Sequence, residues 1–234
     1  MNKIVSIHQP GYFPWLGYLD KVNKSDKFVV LDNVQFNDAA YQNRNLFIDN
    51  TGKKHLLTIP VYKKDYLKKT IKDLKISDNK WQKKHYNFLF FNYKKHPYFE
   101  EVISKINYIY EKKYIFLVDV LIDSMTSVFE LLDIKTEILL ASEMNINNDL
   151  KKEELVIDIV KKIGGEVYLS GQGAKVYQIE ENFAKEGIKL IYQNFTHPKY
   201  NQLYTKEFIP GLSSLDLLFN EGIEKSRKIL KGIE

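Results

Sequence analysis

Two stretches of the chain gather the side chains best suited to chemistry. His8-Gln9-Pro10-Gly11-Tyr12 runs on through Trp15 to Tyr18, and His197-Pro198 is followed by Tyr200 and Gln202. Each stretch sets an imidazole beside a proline, a tyrosine and a carboxamide. An imidazole, with an ordinary pKa of about 6.5, can take a proton near neutral pH. Amides and phenols hydrogen-bond sugar hydroxyls, and flat rings stack on sugars or bases. His8 and His197 are therefore the candidate general bases, and Gln9, Tyr12, Trp15, Tyr18, Tyr200 and Gln202 the candidate substrate ligands.

Other groups extend this set. Asp32 ends an apolar run, where it either caps a turn or faces the ligand edge of a sheet. Gln35, Asn43 and Arg44 follow it. Arg44 stands out because the only other arginine is Arg227; a lone planar fork in a lysine-rich chain fits a carboxylate or phosphate. Trp81, Lys84 and His85 share a helix face by their spacing; His85 is either a packing partner of a core Trp81 or, with Lys84, part of an anion-facing surface. Ser170-Gly171-Gln172-Gly173 is a glycine-rich loop whose backbone can approach an anion closely. Ser213 or Ser214 with Asp216 has the spacing of a helix capping box.

Several chemistries are disfavoured. There is no cysteine, hence no disulfide, thiol nucleophile or Cys-ligated zinc. Neither a His-x-x-x-His pair nor an Asp-x-Asp ligand motif occurs, so no metal site is expected. The Gly-x-Ser-x-Gly elbow, the Walker loop and the dinucleotide fingerprint are likewise missing.

These residues need a scaffold at the ends of strands. Ile4–Ile7 and Phe28–Leu31 flank a turn and a short amphipathic helix, a parallel strand–loop–helix–strand unit. Glu166–Leu169, the loop at 170–173, a helix from about Tyr177 to Lys185 and Ile188–Gln193 form a second such unit. Asn50-Thr51-Gly52-Lys53 reads as the turn of a hairpin between Leu46–Asp49 and His55–Val61. The basic stretch Tyr62–Asp73 reads as a loop, with partial strand character in Ile71–Ile76, and Glu137–Leu140 reads as another short strand. Residues 79–136 carry helical periodicity: one helix stopping before His96-Pro97, then Tyr98–Tyr110 and Ile115–Leu132. Gly164-Gly165 closes a helix at Leu155–Lys162. The expected fold is α/β, a mostly parallel Rossmann-like sheet flanked by helices. The expected division is an α/β domain at 1–78 and 137–234, with 79–136 as a helical insertion or cover.

The 234 residues carry a net charge of +5, from 35 Lys+Arg against 30 Asp+Glu, with 44% hydrophobic and 14% aromatic residues. That is a globular composition rather than a disordered one. A lysine surface with two arginines lacks the bidentate groups of a nucleic-acid reader, so no nucleic-acid partner is expected. The polar start has no signal-peptide core, and no stretch has the roughly 18 apolar residues of a membrane span. A cytoplasmic protein with no membrane partner is expected.

The blocks "IHQPGYFPWLGYLDKV", "LDNVQFNDAAYQNRN", "LTIPV", "WQKKHYNFL", "HPYFEEV", "YLSGQGAKVY" and "FTHPKYNQLYTKEFIPGLSSLDLLFNEG" resemble, in order, the WbqC-like protein family. That resemblance implies work on a surface-glycan (O-antigen) precursor, a nucleotide-linked amino sugar. A more distant likeness is to nucleotidyl-transferases and acyl-adenylate-forming enzymes, where a His-x-Gly-His opens the helix after the first strand. Here that register holds Trp15-Leu16-Gly17-Tyr18, with the glycine and neither histidine. Together the likenesses imply N-acyl or aminoacyl transfer, glycyl among them, to a sugar amine, with ATP as the cofactor implied and a homodimer allowed. In that scheme Tyr12, Trp15 and Tyr18 form a stacking wall, and Arg44 with the Ser170–Gly173 loop clamps an anion. The alternatives are a non-catalytic nucleotide-sugar-binding module and a nucleotidyl transferase.

Overall fold

The computed structural model describes residues 3–64, 66–147 and 149–233. They form two compact units: residues 1–9, 20–33 and 135–196 make the first, and residues 10–19, 34–134 and 197–234 the second.

The first unit is built on a five-stranded parallel sheet. Its strands are β1 (Ile4–His8), β2 (Lys27–Val30), β5 (Glu137–Leu140), β6 (Val167–Ser170) and β7 (Lys189–Tyr192), ordered β5-β2-β1-β6-β7. The hairpin strands β3 (Arg44–Ile48) and β4 (Lys54–Thr58) belong to the second unit. All four expected strands therefore lie parallel in one sheet, and Glu137–Leu140 joins them as a fifth, beside β2. The parallel order explains the sequence: Val5, Phe28, Val29 and Val30 are buried, and strands covered on both faces read as apolar, β-branched runs. The helix α1 (Leu16–Asn23) connects β1 to β2, and α6 (Lys152–Lys162) precedes β6. Gly164, at φ +67°, closes α6, a left-handed residue that glycine adopts without a Cβ penalty. The helix α7 (Glu180–Lys185) starts later than its periodicity predicts, because Lys175–Ile179 forms an irregular lead-in.

Counted from β1 outward, the chain fills one side of the sheet with β2 and β5, then returns to fill the other with β6 and β7. The reversal falls between β1 and β6. In doubly wound sheets the crevice outside the carboxyl ends at such a reversal is where ligands bind.

The second unit holds the hairpin β3 (Arg44–Ile48) and β4 (Lys54–Thr58), antiparallel as its turn residues predict. It also contains α2 (Lys80–Tyr93), α3 (Phe99–Ile106), α4 (Tyr108–Glu111), α5 (Leu117–Leu131) and α8 (Ser214–Lys231). Ile71–Ile76 lies in a loop with partial strand character, as expected. A short 3₁₀ turn covers Ile71–Asp73, and only single bridges, Val61 to Ile76 and Lys75 to Phe116, touch the segment. Ile71 and Leu74 are both fully buried, a spacing of three that suits a helical turn better than a strand's alternation.

At the carboxyl end of β2, Asp32 is 2% exposed and accepts hydrogen bonds from Ser142 N (2.8 Å) and Ser142 Oγ (2.6 Å). Its carboxylate thus ties the end of β2 to the turn after β5. Asp32→Ala leaves both donors without that acceptor, at a cost expected to be about 2 kcal/mol. Urea unfolding of the variant checks this, and an unchanged midpoint would show that the tie is dispensable.

Candidate functional site

The carboxyl edge of the parallel sheet positions the first candidate group. β1 pairs with β2 as far as His8↔Val30, and β6 with β7 as far as Ser170↔Tyr192. β1 and β6 pair only at Ile4↔Val167 and Val5↔Tyr168. Their ladder stops while both strands continue, which opens the sheet at its point of reversal. The His8 carbonyl accepts from Leu31 N (2.8 Å) and so faces β2; alternation along the strand turns the Ile7 carbonyl toward β6. A continued ladder would bring Gly171 N–H to that carbonyl. Lys21 takes its place, donating from Nζ to Ile7 O at 3.2 Å.

Lys21 lies in the half of α1 that belongs to the first unit. It is 4% exposed, and burial lowers its ammonium to about 7. The sequence gives a weak signal for it: a lysine beside the buried Leu19 and Val22, which spacing alone reads as a surface position.

His8 ends β1. Its Nδ1 lies 3.0 Å from Gln9 O. A carbonyl only accepts, so this contact places the proton on Nδ1 and makes Nε2 the basic nitrogen. Crowding by protein atoms lowers its pKa, and the Lys21 charge lowers it further. His8 is nonetheless an exposed residue, so solvent tempers the desolvation, and the imidazole is neutral at pH 7. In the adjoining loop Ser170 is buried and donates to Gln178 Oε1 at 2.7 Å. Gln172 donates from Nε2 to Gln193 O at 2.7 Å. The edge thus brings together His8, Gln9, Ser170, Gly171, Gln172 and, unforeseen, Lys21.

The second unit carries the other candidates. Trp15 is 41% exposed and stacks on His197, ring centroids 6.3 Å apart and 23° between planes. A Cβ on Gly17 would lie 2.2 Å from the Trp15 ring; the glycine is what lets the indole lie against the helix. His197 Nδ1 lies 2.9 Å from Pro198 O, so it is held in the same tautomer as His8, each by the carbonyl of its following residue. Burial lowers its pKa, against the Pro198 hydrogen bond. Phe208 and Tyr200 flank its ring at 5.2 and 6.4 Å.

The loop between His8 and α1 is held in a strained shape. Phe13 has φ +41°, uncommon for a bulky residue. Asn45 Nδ2 donates to Tyr12 O (3.0 Å) and Phe13 O (2.6 Å), and Ser213 Oγ donates to Phe13 O (3.0 Å). Such over-determination is how an unfavourable backbone persists, and it clusters at functional sites.

Tyr12, Tyr18 and His85 are interior residues. The Tyr12 hydroxyl bonds to His85 Nδ1 and to the Tyr110 hydroxyl, each at 3.1 Å, and His85 also bonds the Thr58 carbonyl. Burial lowers His85 to about 3. Tyr18 donates to Met125 Sδ at 3.1 Å. Lys84 is exposed in an open depression with Asp78, Asn79, Lys80, Lys83 and Asn87; His85 points the other way, into the core. Asn43 is buried, its Nδ2 donating to Ile59 O at 2.8 Å, and Gln35 is an exposed residue bridged to Thr70. Arg44 is half-buried at the start of β3, and among the described residues its guanidinium makes no ion pair or hydrogen bond.

Asp216 is fully buried and is not a capping residue. Ser213 alone caps α8, its Oγ accepting from Leu215 N at 3.4 Å. The Asp216 carboxylate accepts instead from Tyr200 (2.9 Å), Gln202 Nε2 (3.1 Å) and Tyr93 (3.2 Å). Burial raises its pKa to about 6 against those three hydrogen bonds. Tyr200 and Gln202, candidates by sequence, are thus joined through an acid that sequence patterning assigns to the helix end.

A family model described as the WbqC-like protein family matches residues 9–228. An uncharacterized protein of Mycobacterium tuberculosis is 30% identical over 224 residues, covering 95% of this chain and 95% of that protein. No solved structure matches the chain. Among the described residues, no group of three or more His, Asp or Glu side chains is placed to hold a metal ion, and no helix is long and apolar enough to cross a membrane.

Asp216 makes a prediction with a definite sign. An unfolded aspartate ionises near 3.9 and the buried one near 6, so the folded state holds this proton more tightly. Its contribution is fully present below about pH 3.9 and is lost as pH rises through about 6. Relative to Asp216→Asn, the wild-type chain should be more stable at pH 4 than at pH 7 by up to roughly 3 kcal/mol, the linkage value for that displacement. Urea titrations of both proteins at the two pH values measure it, and a difference of opposite sign refutes the buried-acid assignment.

Proposed function

Because the chain belongs to the WbqC-like protein family, which suggests a role in polysaccharide biosynthesis, we propose that it is a transferase acting on a nucleotide-linked amino sugar in surface-glycan assembly. The reaction is amide formation on the sugar amine by N-acyl or aminoacyl transfer. The observation that carries this reading is His8 at the reversal of a doubly wound sheet, neutral and with Nε2 as its basic nitrogen.

The chemistry asked of the protein is modest. As the sugar nitrogen attacks the activated acyl carbon, a C–N bond forms, the bond to the leaving group breaks, and the nitrogen must lose a proton. A positioned imidazole takes that proton, a role that typically contributes about 10²–10⁴-fold. His8 and His197 are the two candidates, each fixed in the tautomer that a base requires. Trp15 offers the exposed ring for stacking a base or sugar face, and Arg44 the uncommitted fork for an anion. ATP enters through the distant likeness to adenylate-forming enzymes; Trp15 and Tyr18 occupy the places of that group's histidines, which favours the non-catalytic module as the second reading. A cytoplasmic location suits a sugar-nucleotide substrate.

A thermal-shift screen with sugar nucleotides, ATP and amino acids separates the readings. A ligand at about a hundred times its dissociation constant adds roughly 2.7 kcal/mol. Stabilisation by ATP plus an amino acid supports acyl activation; stabilisation by sugar nucleotides alone favours the binding module. With an active donor and acceptor in hand, Ala at the true base should lower kcat about 10²–10⁴-fold with little change in stability. Both imidazoles are held below their ordinary pKa, so kcat/KM should show no loss from histidine protonation between pH 8 and 6.5 and should fall for that reason only in stronger acid. Arg44→Ala should weaken ligand binding far more than folding; normal binding per folded molecule would make Arg44 structural.

A further inference from the structure

We propose that Lys21 Nζ and the Gly171 backbone N–H form an oxyanion-binding element at the β1/β6 edge, taking the phosphate or carboxylate oxygens of the ligand. The inference concerns the edge used in the transfer reading above, but it does not require that reaction.

Three observations carry it. The first is the open ladder. β1 and β6 stop pairing at Val5↔Tyr168, although both strands run on. Backbone groups that a continued sheet would consume are therefore presented to whatever enters there. Gly171 N–H is one of them: the acceptor it would have used, Ile7 O, is taken by Lys21. Among the described residues no other acceptor for that N–H occurs. A Cβ at Gly171 would meet nothing within 4 Å, so the loop has room beside it.

The second is the unused capacity of Lys21. An ammonium has three donors, and Ile7 O is its single acceptor among the described residues. Nor, among the described residues, does any carboxylate pair with it: the neighbouring Asp20 is committed to Lys24 at 2.8 Å and to Gln193 Nε2 at 2.6 Å. A 4% exposed amine left in this state costs free energy. Folding alone gives no reason to keep it, since an apolar side chain of that length would fill the same space.

The third is the sign of the local field. The Lys21 charge reaches His8 and lowers its pKa. An oxyanion seated on Lys21 would hold the amine charged against the burial that brings it to about 7, and would cancel its field at His8. The ligand would thereby restore basicity to the imidazole beside it. An ammonium and a backbone N–H at the same sheet reversal suit the oxygens of a phosphate or carboxylate, whose charge a neutral ligand would not supply.

The test uses inorganic pyrophosphate, UDP and acetate as probes, with calorimetry at pH 7 on the full chain. Wild type should bind pyrophosphate or UDP if the oxyanion is a phosphate, and acetate alone if it is a carboxylate. Lys21→Met should weaken the bound probe at least ten-fold while its urea midpoint stays equal or rises, because an under-satisfied buried cation has been replaced by an apolar chain. Lys21→Arg should retain part of the binding. Equal affinity of wild type and Lys21→Met, or no binding of any probe by wild type, overturns the proposal. Should Lys21→Met not fold, amide spectra of wild type decide. The Gly171 resonance must move as the probe saturates, and saturation without that shift overturns the proposal equally. Anion binding that survives without any detectable transfer would reject the enzyme and keep this site.

Discussion

The first unit depends on a ladder that ends early. Two residue pairs join β1 to β6, and beyond them the sheet is held only by the outer pairings of each strand. A parallel sheet fully zipped to its carboxyl end would bury the Ile7 carbonyl and the Gly171 amide in each other and present nothing. Stopping the ladder costs backbone hydrogen bonds, each worth about 1 kcal/mol net. Lys21 recovers one of them from the side, at the expense of a buried amine. The histidine, the glycine-rich loop and the amine stand together because the chain does not finish its sheet.

The second unit solves a different problem, that of holding polar groups inside an aromatic core. Tyr12, His85 and Tyr110 satisfy one another, and Tyr93, Tyr200 and Gln202 surround Asp216. Buried polar groups are tolerable when every member is paired. These networks also fix backbone: Tyr93 accepts from Ile48 N at 3.0 Å while donating to Asp216, joining the hairpin to α2 and α8. The strained Phe13 is held by the same economy, since its carbonyl receives two side-chain donors. In this unit the tyrosines, 16 in the chain, work as much by their hydroxyls as by their rings.

Much of this was legible in the order of residues, and the failures have physical causes. The four principal strands read correctly because parallel strands are covered on both faces and leave unbroken apolar runs. Their turn residues placed His8 and Ser170–Gln172 at strand ends without any need for tertiary information. Lys21 escaped because a sequence shows that a lysine sits in a helix but not that a neighbouring ladder has stopped beside it. Asp216 escaped for the reverse reason. Its local spacing from Ser213 fits a capping box, and nothing local reveals Tyr93, 123 residues away. At Ile71–Ile76 the partial strand character was legible, but the 3₁₀ turn at Ile71–Asp73 was not, because apolar residues in a short basic segment carry too few repeats to separate a period of two from a period of three. Tyr12, Tyr18 and His85 are of the types that bind ligands, and the same types build polar cores; burial, which a sequence does not display, distinguishes the two.

The stacking of Trp15 on His197 gives the protein an optical property. The chain has two tryptophans, each beside an imidazole, but their surroundings differ: Trp81 is 3% exposed and meets His85 edge-on, an imidazole that burial keeps neutral, while Trp15 is 41% exposed with His197 stacked on its face. A charged imidazolium drains an excited indole far more effectively than a neutral ring does. Emission from Trp15 therefore follows the protonation of His197, and a base or sugar sliding against that indole would alter its colour and brightness directly. The molecule carries a fluorophore at one of its own candidate binding groups, with the buried tryptophan as an internal standard.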